Sequence, residues 1–137
     1  MSEEKIIEFL IEAKKATYAA GDGELSYEKD DLSYIDSYVG DKQFAGQEIV
    51  SENDEPVWAM NYAGRVIGGG FSGDFLKEAL SEVSAERPFR GPEEYASGDY
   101  LYKCEFNGDF EWFDGYEEIY LGGLMIYECL FHGGSIL

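Results

Sequence analysis

Apolar residues recur at two different periods along this chain, and the period changes at glycine and proline. Over residues 3–19, Ile6, Ile7, Leu10, Ile11 and Ala13 fall at three- and four-residue steps, so a helix with one apolar stripe is predicted. Ser2 can cap it, Glu3 and Glu4 complement the positive end of its dipole, and Gly21 and Gly23 end it. The polar stretch GDGELSYEKDD reads as an exposed loop. From residue 32 the pattern alternates instead. LSYIDSYV (32–39), FAGQEIVS (44–51) and VWAMNYAG (57–64) read as strands, divided by turns at Gly40-Asp41 and at ENDEP (52–56). RVIGGGFSG (65–73) is a glycine-rich connection. FLKEALSEV restores the helical period from Ser72 or Asp74 to about Ser84, and the pairs Arg87-Pro88 and Gly91-Pro92 break the chain into a loop. Three further strands follow: DYLYKCEF (99–106), FEWFDGYEEIYL (110–121) and LMIYECLFHG (124–133). Asn107-Gly108 and Gly122-Gly123 supply hairpin turns between them.

Both halves therefore run helix, then three strands, and residues match in order. FLIEA (9–13) matches FLKEA (75–79); Tyr34, Gly40 and Asp41 match Tyr102, Gly108 and Asp109. After one inserted residue, Phe44, Gly46 and Glu48 match Phe113, Gly115 and Glu117, so Phe-x-Gly-x-Glu is written twice. Trp58 and Tyr62 fall on Tyr127 and Phe131. The expectation is a single α+β domain over residues 1–137, internally duplicated as an αβββ unit with pseudo-repeats 5–67 and 72–136. About six antiparallel strands would carry the two helices on one face, because neither half is large enough to bury its apolar side alone.

Alternation along strands assigns faces. Phe44, Gly46, Glu48 and Val50 share one face, as do Phe113, Gly115, Glu117 and Ile119. If these coincide with the faces carrying Trp58, Tyr62, Tyr127 and Phe131, two carboxylates project among aromatic rings in a cleft between repeats. Rings and a partly desolvated carboxylate suit a cationic or aromatic small molecule. The ligand-binding candidates are Glu48, Glu117, Trp58, Tyr62, Tyr127 and Phe131. The alternative placement puts the glutamates at a solvated rim or pairs them with Arg65, Arg87 or Arg90.

Charge narrows the partners. With 29 acidic residues against 10 basic ones, the formal charge is −19. Such a surface repels nucleic-acid phosphate and anionic membranes and attracts cations or basic proteins. A protein-interaction or inhibitor module offering acid to a basic partner is thus the second function class. Catalysis has little support: His132 is the sole histidine, and no G-x-S-x-G, H-E-x-x-H or P-loop is present. Paired carboxylates could serve a hydrolase, with nothing in the spacing to fix their separation. The chain offers no metal-ligand pattern and no cofactor motif. Cys104 and Cys129 sit in aromatic strands as free core thiols. The N-terminus is not a signal peptide and no stretch reaches transmembrane length, so a cytoplasmic protein is expected.

The ordered set YIDSYVG (34–40), FAGQE (44–48), PVWAMNYAG (56–64), FSGDFLKEAL (71–80), RPFRGPEEY (87–95), GDFEWFDGYE (108–117) and YECLFHGG (127–134) resembles an uncharacterised bacterial domain family. Similar domains occur alone or behind a helix-turn-helix segment of the phage-repressor type. The resemblance implies a sensor or interaction module associated with transcription regulators. It carries no catalytic residues across, and this chain, without a helix-turn-helix segment, is expected to be the stand-alone form. By topology the duplicated α/β plan also resembles the drug-sensing effector domains related to gyrase inhibitory proteins. Those place a glutamate in an aromatic cleft between repeats, although their repeat begins with a strand and this one with a helix.

Overall fold

The computed structural model describes residues 2–18 and 25–137. In chain order the elements are α1 (Glu3–Tyr18), β1 (Leu25–Lys29), β2 (Leu32–Gly40), β3 (Gln43–Glu52), β4 (Glu55–Val66), α2 (Gly73–Leu80), β5 (Glu94–Ser97), β6 (Tyr100–Asp109), β7 (Trp112–Leu121) and β8 (Leu124–Ser135). All strands join one antiparallel sheet of eight, in the order β1-β2-β3-β4-β8-β7-β6-β5. The fold is α+β, and its strand order reads the same from either edge, with β4 against β8 at the centre.

The sheet is larger than the expected six strands because each half carries one more. β1 lies inside the stretch read as a polar loop, and β5 lies in the stretch read as a loop after Gly91-Pro92. Each is a short edge strand, so little burial marks it in the sequence: only Leu25, Tyr27 and Tyr95 turn inward. Each half thus runs helix, then four strands. The predicted helix end at Gly21 and Gly23 lies outside the described residues. One turn also moves. Asn107 and Gly108 lie within β6, where Gly108 takes a positive φ of 92°, and the reversal falls at Phe110-Glu111. Asp109 fixes it by accepting from the backbone N–H groups of Glu111 and Trp112. Gly122-Gly123 does turn β7 into β8, with positive φ at both residues.

Both helices cover the same face. Lys14 of α1 reaches Glu48 on β3, and the Phe75 ring of α2 stacks on Tyr100 of β6 at 5.0 Å. Ser2 caps α1 through its oxygens, and Ser72 caps α2 by accepting from the Phe75 N–H. α2 ends at Leu80, and residues 81–93 continue as an irregular cover of turns and bends in which Val83, Phe89 and Arg90 are buried. The core beneath holds Trp58, Tyr34, Tyr102, Tyr127, Met60, Ile119 and Val50, all fully buried. Trp58 stacks on Phe110 and Phe113 and donates its indole N–H to the Phe110 carbonyl, which satisfies its one polar atom.

Candidate functional site

The repeated Phe-x-Gly-x-Glu has a packing explanation. Gly46 pairs with Tyr62 across β3–β4, and Gly115 pairs with Phe131 across β7–β8. A Cβ at Gly46 would stand 2.4 Å from the Tyr62 ring, and one at Gly115 would stand 2.1 Å from the Phe131 ring. Each glycine therefore lets the neighbouring strand's ring lie flat across its own strand. The phenylalanine two residues earlier packs on that ring, and the glutamate two residues later points the same way, into the core.

Both glutamates are buried and both are paired. Glu48 accepts a hydrogen bond from the Tyr34 hydroxyl at 2.6 Å and meets the Lys14 ammonium at 2.8 Å. Lys14 also donates to the Phe89 carbonyl at 2.5 Å, which ties α1 to the covering segment. Glu117 accepts from the Tyr102 and Tyr127 hydroxyls, and Arg90 grips it with Nε at 3.2 Å and Nη2 at 2.6 Å. Burial alone would push the Glu117 carboxyl up; the Arg90 guanidinium and the three donors outweigh it and hold the group below its usual range. Burial likewise opposes the Arg90 charge, and Glu117 more than offsets it. For Lys14 burial wins, and its ammonium is held below the ordinary lysine value despite Glu48.

A third buried carboxylate joins them. Asp36 sits opposite Glu48 across β2–β3 and accepts from the Tyr62 hydroxyl at 2.6 Å. Burial, then the nearby Glu48 charge, push its carboxyl up from 3.8 to about 6. Asp36, Tyr62 and Arg90 form the floor of a cavity of about 450 Å³, and the Arg90 guanidinium lies 5.1 Å over the Tyr62 ring. Tyr38, Phe44 and Phe71 supply aromatic wall; Leu76, Lys77 and Leu80 of α2 close the far side. Phe44 and Phe71 are backed by the Tyr127 ring, at 6.3 and 5.3 Å. The buried Tyr18 hydroxyl, also on this lining, has no hydrogen-bond partner among the described residues. The cavity thus lies between the strands of the first half and the helix and cover of the second.

Of the six sequence candidates, Tyr62 lines this cavity directly. Glu117 and Tyr127 stand one layer behind it, holding Arg90 and the aromatic wall. Glu48 stands behind Asp36, holding Lys14. Trp58 belongs to the aromatic stack at the other end of the sheet. Phe131 packs with Phe89 and Phe113 and borders a separate cavity of about 660 Å³ with Arg87, Phe106 and His132. Sequence reasoning offered Arg90 only as one of three possible partners for the glutamates, the role it takes at Glu117, and passed over Asp36 and Lys14. Those two carry a readable signal: Asp36 continues the inward series Leu32, Tyr34, and Lys14 lies on the buried helix face with Leu10, Ala13 and Thr17. A polar residue in an apolar register marks a place where charge is buried for a reason.

The two halves differ where the cavity forms. The sequence counterparts of Asp36 and Tyr62 are Cys104 and Phe131, which are apolar. Phe89 packs against Phe106, Phe113 and Phe131, the counterparts of Tyr38, Phe44 and Tyr62. Phe89 thus covers these rings in the second half, and the cavity of about 660 Å³ that remains beside them has Cys104 in place of an acid. Burial pushes the Cys104 and Cys129 thiols up to about 11 and about 12, so neither is poised as a nucleophile. Among the described residues no cluster of His, Cys, Asp and Glu could hold a metal ion, and no helix is long and apolar enough to cross a membrane.

A family model described as Domain of unknown function (DUF5680) matches residues 36–136, which takes in both glutamate motifs, Asp36 and Arg90. No curated protein and no solved structure matches the chain.

Proposed function

The chain belongs to the family described as Domain of unknown function (DUF5680), and from that premise we propose that it is a small-molecule-binding, sensor-like module whose ligand occupies the 450 Å³ cavity over Asp36. The observation that carries this reading is the Asp36 carboxyl itself. It is buried, its one side-chain hydrogen bond among the described residues comes from Tyr62, and the rings around it leave space instead of packing it shut. Concave, mostly aromatic walls with a few convergent polar groups are what ligand sites of this size share. The Tyr18 hydroxyl, unpartnered among the described residues, is a second polar group for a ligand to satisfy.

Two further readings go with it. The palindromic strand order, the paired Phe-x-Gly-x-Glu motifs and the matching Tyr34–Glu48 and Tyr102–Glu117 hydrogen bonds support an internally duplicated helix-and-four-strand unit. In that history the first copy keeps an acid, Asp36, at its cavity and the second carries Cys104 there. Free buried thiols and the strongly acidic surface fit a cytoplasmic protein, one that reports a bacterial metabolite or drug to a partner regulator.

The test is a thermal-shift screen of flat aromatic compounds, followed by nuclear magnetic resonance mapping of those that raise the melting temperature. The reading expects perturbed signals at Tyr38, Phe44, Tyr62, Phe71 and Leu76. Absence of any stabilising compound at millimolar concentration, or perturbations centred on Phe106 and His132, would remove it.

A further inference from the structure

The buried charges do not balance. Lys14 and Arg90 face Asp36, Glu48 and Glu117, which leaves one carboxylate in excess among the described buried residues. The pairing says which one. Glu117 holds two Arg90 nitrogens and two phenols; Glu48 holds the Lys14 ammonium and one phenol. Among the described residues, Asp36 has a phenol alone. Arg90 is committed through Nε and Nη2 to Glu117, with its flat face on Tyr62, and Lys14 is committed to Glu48 and the Phe89 carbonyl. The charge of each buried cation is thereby already matched by a carboxylate.

Resting on the binding reading above, we infer that the cavity takes a singly charged organic cation carrying a flat ring, with Asp36 as its counter-ion and Phe44, Tyr62 and Phe71 around the ring. A buried carboxylate without a charged partner is costly, and a cation that supplies one gains both that relief and attraction from the ring faces. A single charge neutralises the excess; a second would be buried unmatched. The groups facing Asp36 are Lys14 and Tyr18 from α1, Glu48 from β3, Tyr62 from β4 and Arg90 from the cover, with Asp41 and Lys77 farther along the lining. Since Asp36 takes up a proton in the range where its carboxyl titrates, near 6, proton and cation compete for the same place.

Three ring probes of similar shape separate the possibilities: N-methylquinolinium, neutral 1-methylnaphthalene and anionic 1-naphthoate, titrated against the full chain and Asp36→Asn at pH 7.5. The expected result is that the cation binds wild type at least tenfold more tightly than the neutral probe. Asp36→Asn, checked for folding by circular dichroism, loses that preference and still binds the neutral ring. At pH 4.5 the wild type loses the preference too, although the quinolinium charge does not titrate, so the pH arm tests the same point without a substitution. Equal binding of cation and neutral ring, tighter binding of naphthoate, or a preference unmoved by Asp36→Asn and by pH would overturn the inference while leaving the cavity as a binding site. If none of the three binds, the binding reading itself falls.

Discussion

At the scale of single residues, glycine and buried acid behave in opposite ways. Gly46 is required by shape. Gly46→Ala drives a methyl into the Tyr62 ring and should destabilise the fold by about 1–3 kcal/mol in urea denaturation. Gly69→Ala, with no atom within 4 Å of the new methyl, should be near neutral. Asp36 is tolerated and not required. Its carboxyl titrates higher in the folded chain than unfolded, so its contribution is complete below about pH 4 and is lost as pH rises through about 6. Asp36→Asn should therefore stabilise the unliganded protein at pH 7.5 by on the order of 1–3 kcal/mol, with the gain fading by pH 4. Glu117 runs the other way: its depressed carboxyl contributes above the ordinary glutamate range and loses that contribution in acid. The twice-written Phe-x-Gly-x-Glu was legible because identical geometry demands identical residues. Arg90 was legible only as one of three candidate partners for a glutamate, since it sits in a Pro- and Gly-broken segment whose course over the sheet no local period reveals.

At the scale of elements, pairing on both sides separates the centre from the edges. β4 and β8 are flanked on both sides, while β1 and β5 each have one neighbour and few buried residues. Amide hydrogen exchange should accordingly be slowest in Trp58–Tyr62 and Tyr127–Phe131, limited by global unfolding, and fastest among the strands in Leu25–Lys29 and Glu94–Ser97. Uniform protection across all eight strands would contradict this. The same difference explains what the sequence concealed. Long strands with several buried residues announce themselves by alternation, whereas four or five residues at an edge alternate too briefly to be told from a loop. Gly108 misled for another reason. Its left-handed backbone serves the end of β6 and not the turn, a distinction made by the Asp109 side chain one residue on.

At the scale of the whole molecule, the formal charge of −19 opposes compactness. Nearly all of it lies outside the core, where the acids repel one another through water. Raising sodium chloride from roughly 20 mM to 300 mM should screen that repulsion and raise the melting temperature by a few degrees. A salt-insensitive transition would mean that the surface acids are locally neutralised.

The Phe89 ring has an arithmetic consequence for the molecule. It packs on the counterparts of Phe44 and Tyr62, and the cavity of about 660 Å³ that remains in the second half has Cys104 where the first has Asp36. A titration of a ligand held by Asp36 should therefore saturate at one equivalent per chain along a simple hyperbola. Trimming that ring, as in Phe89→Ala, would be the way to ask whether the second half can offer another berth.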